Sequence, residues 1–171
     1  MAILRAEEVS SSSGHRYQVF LSFRGKDTRK NFTDHLYTAL VQAGIHTFKD
    51  ERELQRGKNI ANELHKAIEE SKIALIVFSR NYASSEWCLN ELVGILERKK
   101  TMGLTVIPVF YDVQPSHIRH QTGSFGEAFS VREKLVFESK EEEDMKIEKW
   151  REALGEVADL GGMVLQNEAD G

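Results

Sequence analysis

Four short apolar runs, at residues 17–23, 45–48, 73–78 and 104–110, recur along the chain with amphipathic helical patterns between them. The first and third are almost continuously apolar, as strands buried on both faces are. The fourth contains Pro108. A proline removes a ladder donor, so an edge or irregular position is expected there. Phe32, Leu36, Ala39, Leu40 and Ala43 mark the core face of a first helix, which Gly44 stops. Ile60, Leu64, Ala67 and Ile68 mark a second, and Leu89, Leu92, Val93 and Leu96 a third that runs to about Lys100. Residues 111–126 read as loop and 124–137 as weakly helical. The charge run at 138–149 reads as a solvated helix start or a loop. Ile147, Trp150, Ala153, Leu154, Val157 and Ala158 form the last helical stripe, followed by Gly161-Gly162 and a short fifth strand at 163–165.

Strands alternating with helices at this spacing imply an α/β fold with a parallel sheet and right-handed crossovers. Five strands with short connections predict a flavodoxin-like order, 2-1-3-4-5, with helices on both faces. The topological switch then falls between the first and third strands, and ligands of open α/β sheets bind beyond the strand ends at such a switch. Those ends supply Arg24-Gly25 and Ser79-Arg80. Just beyond lies Ser84-Ser85-Glu86-Trp87-Cys88-Leu89-Asn90-Glu91-Leu92. Two serines ahead of an apolar-periodic run suit a helix N-cap. Trp87 and Glu91 are four apart, so they share a face off the core stripe. They read as one wall of a small-molecule site; the plainer reading is a half-buried tryptophan and a solvated glutamate.

The 171 residues are enough for one domain with a core. Residues 1–15, with a serine run, read as a flexible tail, 16–165 as the domain and 166–171 as a frayed end. A net charge of −4 offers no global basic field for nucleic acid or a membrane surface. Cys88 is the single cysteine, which excludes an internal disulfide and favours a reducing compartment. No apolar run spans a bilayer, and the first residues lack a secretory core. The expected location is the cytosol, with the nucleus as an alternative. The sequence contains no phosphate loop, dinucleotide glycine fingerprint, zinc spacing or nucleophile elbow. No metal and no prosthetic group are expected.

A single carboxylate suits one reaction class. Cleaving the N-glycosidic bond of a nicotinamide dinucleotide expels a cationic pyridinium as a neutral molecule, so no general acid is needed. The protein has to hold the ribose and stabilise an oxocarbenium-like transition state. Trp87 could stack on a ring, and Arg24 or Arg29 could pair with the diphosphate.

The stretch Tyr17-Gln18-Val19-Phe20-Leu21-Ser22-Phe23-Arg24-Gly25-Lys26-Asp27-Thr28-Arg29 resembles the opening signature of plant TIR (Toll/interleukin receptor) domains. So do Phe48-Lys49-Asp50 leading to Leu54-Gln55-Arg56-Gly57, Ser85 to Leu92, Val106 to Tyr111, and Gln121 to Gly126. The resemblance runs from about Tyr17 to Leu165. It implies a flavodoxin-like fold, a role in plant immune signalling, and cleavage of NAD+ or NADP+ as substrate. The family's catalytic glutamate falls on Glu91, with Arg24, Gly25, Arg29 and Trp87 as substrate-binding residues. It also implies self-association with other TIR domains, nucleic acid as a secondary substrate, and no membrane. Asp34-His35 matches where related domains pair, and with Tyr37 and Val41 it lies on the outer face of the first helix. The loop at 49–58 is expected to close over the site when a neighbour holds it. Lys26, Gln114 and His117 stand where the family often has acidic residues, and Glu51 where Asp is common. The competing reading is a catalytically silent module that only recruits other TIR domains.

Overall fold

The computed structural model describes residues 15–25, 32–49, 60–134 and 140–165. Among the described residues twelve elements follow one another: β1 (Tyr17–Ser22), α1 (Phe32–Gln42), β2 (Thr47–Lys49), α2 (Ile60–Glu69), β3 (Ser71–Phe78), a 3-10 turn (Tyr82–Ser84), α3 (Glu86–Met102), β4 (Thr105–Tyr111), α4 (Pro115–His120), α5 (Gly123–Lys134), α6 (Lys140–Ala158) and β5 (Met163–Leu165). The sheet is fully parallel in the order β2-β1-β3-β4-β5. This is the order the alternation predicts.

Crossover handedness decides which face each helix covers. The step from β1 to β2 runs one way across the sheet, and every later step runs the other way. Right-handed connections therefore put α1 on one face and α2, α3 and α6 on the opposite face. The period of two along each strand matches this split. Phe20, Ala74, Ile76, Phe78, Val106 and Phe110 pack into the larger core with residues of α2, α3, α5 and α6. Leu21, Phe23, Val77 and Val109 form a smaller core against Phe32, Leu36 and Tyr37 of α1. On that thinner side Ile107 and Met163 remain exposed.

The expected face of α1 is rotated. Thr33 is buried and Leu36 and Tyr37 pack inward, whereas Ala39 and Ala43 are exposed. Two alanines gave the stripe its apparent phase, but they bury too little area to fix it. The region read as loop and weak helix holds α4 and α5. From Lys140 onward the charge run forms the start of α6, where Glu141, Glu142 and Glu143 lie in the first turn. Acidic groups there are favoured by the positive end of the helix dipole. The expected tails and the loop expected at 49–58 lie outside the described residues, save His15 at the edge of the first tail and Lys49, which ends β2.

Pro108 is accommodated at the sheet position where its missing donor has no partner to lose. β5 pairs with β4 only from Val109↔Met163 onward. Gly162 approaches the Pro108 carbonyl so closely that a Cβ there would lie 2.0 Å from the oxygen. In a parallel strand the N–H and C=O of one residue face the same neighbour. The side Pro108 leaves without a donor is therefore the side on which pairing has not begun.

Candidate functional site

β1 and β3 are neighbours whose following connections leave in opposite directions, so the switch lies at their carboxyl ends. Side-chain bonds join what leaves these two ends. Arg24, one residue beyond Phe23, donates from Nη1 to the Asn81 carbonyl at 2.9 Å. Ser22 Oγ lies 3.0 Å from the Tyr82 hydroxyl, which in turn donates to the Cys88 carbonyl at 3.2 Å. Tyr82 is fully buried, so its hydroxyl has to be satisfied in place. The Cys88 thiol lies 3.7 Å from the Phe23 carbonyl. Together these contacts fasten the first turn of α3 to the end of β1.

The start of α3 follows from local sequence. Ser85 has an extended backbone and its hydroxyl accepts from Cys88 N at 3.2 Å, so it is the N-cap the serine pair predicted. Glu86 sits in the first turn, and Lys99 and Lys100 in the last, both matching the helix dipole. Gly103 closes the helix with φ +71°, a conformation in which most side chains would be strained.

Trp87 is half-buried and packs against the larger core. Glu91 is only 7% exposed. Both depart from the expectation of a face turned away from the core. Glu91 is not the solvated carboxylate of the plainer reading, and glutamate is seldom this buried. Gly25 is also buried. The switch therefore gathers a guanidinium, an aromatic ring and a carboxylate onto the strand ends and the first two turns of α3. Arg29 lies outside the described residues.

The residues expected on an outer face of α1 divide: Asp34 and Tyr37 are partly buried, and His35 and Val41 are exposed. Asp34 pairs with Lys49 Nζ at 2.8 Å, and that ammonium sits 5.0 Å from the Tyr37 ring centroid. Tyr37 therefore serves the smaller core rather than an outer surface. His35 is exposed, and Val41 is 49% exposed.

A second cluster beside the start of α3 had only a weak sequence signal. Arg132 donates from Nη2 to the Ala83 carbonyl at 3.2 Å and lies 5.1 Å from the Trp150 ring centroid. Lys146 Nζ is 5.7 Å from the same ring and 2.8 Å from Glu86 Oε1. Burial pulls the Arg132 pKa down by desolvation, opposed by the charges of Glu86 and Glu143; the guanidinium stays charged. The hydrogen bond to Glu86 raises that of Lys146. Trp150 stands in the last helical stripe, but the sequence offers no sign that Lys146, inside the charge run, or Arg132 joins it. Among the described residues no group of side chains could hold a metal ion, and no helix is long and apolar enough to cross a membrane.

Residues 16–170 match the family model described as TIR domain. The chain is 55% identical over 154 residues to TMV resistance protein N of Nicotiana glutinosa, covering 90% of this chain and 13% of that protein. It is 59% identical over 146 residues to disease resistance protein RPV1 of Vitis rotundifolia, covering 85% of this chain and 10% of that protein. The chain thus spans a small fraction of the length of these relatives. Among solved structures it resembles the TIR domains of the activated Roq1 resistosome that directly recognizes the pathogen effector XopQ. There the TM-score is 0.78 at 52% identity, over 91% of each chain.

Proposed function

The chain belongs to the TIR domain family, and from that premise we propose that it is an NAD(P)+ nucleosidase acting in plant disease-resistance signalling through self-association. The observation that carries the catalytic half is Glu91, a carboxylate 7% exposed on the helix that starts at the sheet switch. The names of the relatives support the disease-resistance half. The Roq1 resistosome supports assembly as the working form.

In this reading the bond between ribose C1′ and the nicotinamide nitrogen breaks. Its electron pair returns to the ring, and nicotinamide leaves neutral. Positive charge grows on the ribose, and the Glu91 carboxylate stabilises it. Water then attacks C1′ and loses a proton, giving ADP-ribose; attack by a hydroxyl or ring nitrogen of the same molecule gives a cyclic product instead. Trp87 offers an aromatic face to the substrate, and Arg24 a charge for the diphosphate. Arg29 is proposed for the same diphosphate, and Gly25 lets the substrate approach the backbone. No prosthetic group is needed, and nucleic acid is proposed only as a secondary substrate.

Incubating concentrated protein with NAD+ and with NADP+, then separating products by chromatography, tests the reading. Nicotinamide and an ADP-ribose-type product in equal amounts are expected. Intact dinucleotide, from protein that still self-associates, would leave a recruitment module in place of an enzyme.

A further inference from the structure

A helix that carries reacting groups must be held at one roll angle about its axis. With a radius of about 5–6 Å, a roll of about 20° moves a side-chain tip by about 2 Å. Misplacement by about 1 Å can reduce turnover by as much as about a hundredfold. The bonds at the first turn of α3 fix where the helix begins. Leu89 and Leu92 then pack fully buried into the larger core, but apolar packing is non-directional, so the fine setting of the roll at Glu91 still calls for directed contacts.

One face of α6 meets this need. Lys146 pairs with Glu86 at 2.8 Å, and Trp150 donates from Nε1 to Asn90 Oδ1 at 3.1 Å. Glu86 and Asn90 directly precede Trp87 and Glu91. Both pairs are four residues apart, on α3 and on α6, so two successive turns of each helix are tied to each other. The Trp150 ring is itself immobilised. It is 2% exposed, and the Arg132 and Lys146 cations lie near it. Arg132 also holds the turn before α3 through the Ala83 carbonyl. Glu86 and Asn90 are both exposed. An exposed ion pair contributes little to stability, and water can replace the Asn90 carbonyl. Orientation is what these two contacts supply.

We propose that α6 is the positioning device of the site: Trp150, through Asn90, and Lys146, through Glu86, set the roll of α3 and so the placement of Glu91 and Trp87. Its consequence for turnover rests on the reading of Glu91 as the catalytic carboxylate. Asn90 and Trp150 are positioning residues and need not touch substrate.

The test compares wild type, Asn90→Ala and Asn90→Asp, which keeps an acceptor for the indole N–H. Nicotinamide release is measured across NAD+ concentrations, and amide hydrogen exchange is followed by mass spectrometry. Asn90→Ala is expected to lower kcat about tenfold with KM within about twofold, since geometry rather than affinity is lost. Exchange in peptides over residues 86–95 should quicken, and that over α1 should not. Asn90→Asp should recover most of both effects. Wild-type kcat in Asn90→Ala, alongside an inactive Glu91→Ala, overturns the proposal and leaves the functional reading intact. So does a loss that Asn90→Asp does not recover, because the amide itself would then be what matters. If wild type releases no nicotinamide, the functional reading fails instead, and exchange alone judges the positioning role. Unchanged exchange over 86–95 in Asn90→Ala overturns it; quickened exchange restored by Asn90→Asp sustains it.

Discussion

Arg24 is anchored, which shapes what its removal should do. Its Nη1 bonds the Asn81 carbonyl, so the guanidinium is held at the switch before any substrate arrives. Loss of one charge-assisted contact is about 1.5–3 kcal/mol, so Arg24→Ala should raise KM for NAD+ about tenfold or more, with a smaller effect on kcat. Trp87→Ala should also raise KM. Steady-state kinetics on both variants check this, and unchanged KM in both would move the substrate site away from the switch. At this scale the sequence was partly legible. Spacing brought Trp87 and Glu91 onto one helix face, and the motif singled them out. Spacing could not reveal that Glu91 is buried, because burial comes from elements distant in sequence. The Ser22–Tyr82–Cys88 chain spans 60 residues from hydroxyl to hydroxyl. No local pattern announces such a contact.

Single elements owe their ends to short-range chemistry, and those ends are testable without activity. The Ser85 hydroxyl accepts from Cys88 N and starts α3. Ser85→Ala should lower stability by about 0.5–2 kcal/mol, read as a shift of the urea midpoint at constant m-value. Gly162→Ala should cost about 1–3 kcal/mol, because its Cβ would meet the Pro108 carbonyl. A midpoint equal to wild type would show that β5 can move aside freely. Strand order was readable because buried parallel strands are continuous apolar runs. The face of α1 was not, because alanines at 39 and 43 mimic a stripe while Thr33 and Tyr37 turn inward. α4 was missed because its six residues, Pro115–His120, carry no apolar period beyond Ile118.

The whole molecule sets a third test. The residues assigned to self-association divide: Asp34 and Tyr37 are engaged within the chain, and His35 and Val41 are left for a neighbour. If activity needs assembly, the competent state of an isolated chain is a minor population, and crowding chains together selects it. Specific activity should then rise steeply with protein concentration. Val41→Arg and His35→Ala should flatten the rise while far-UV circular dichroism stays unchanged. Light scattering across the same dilutions tells assembly from monomer. Constant specific activity from a monomeric sample would remove self-association from the account.

The central claim is that the Glu91 carboxylate carries N-glycosidic cleavage. It is tested most directly by nicotinamide release from NAD+ by wild type and Glu91→Gln, at one high protein concentration and after both are shown to be folded. The Gln variant keeps the volume and shape of the side chain, removes its charge and puts an NH2 donor in place of one acceptor oxygen. The account predicts release by wild type and a rate lower by at least about a hundredfold in Glu91→Gln. A folded Glu91→Gln protein that releases nicotinamide at the wild-type rate would contradict it.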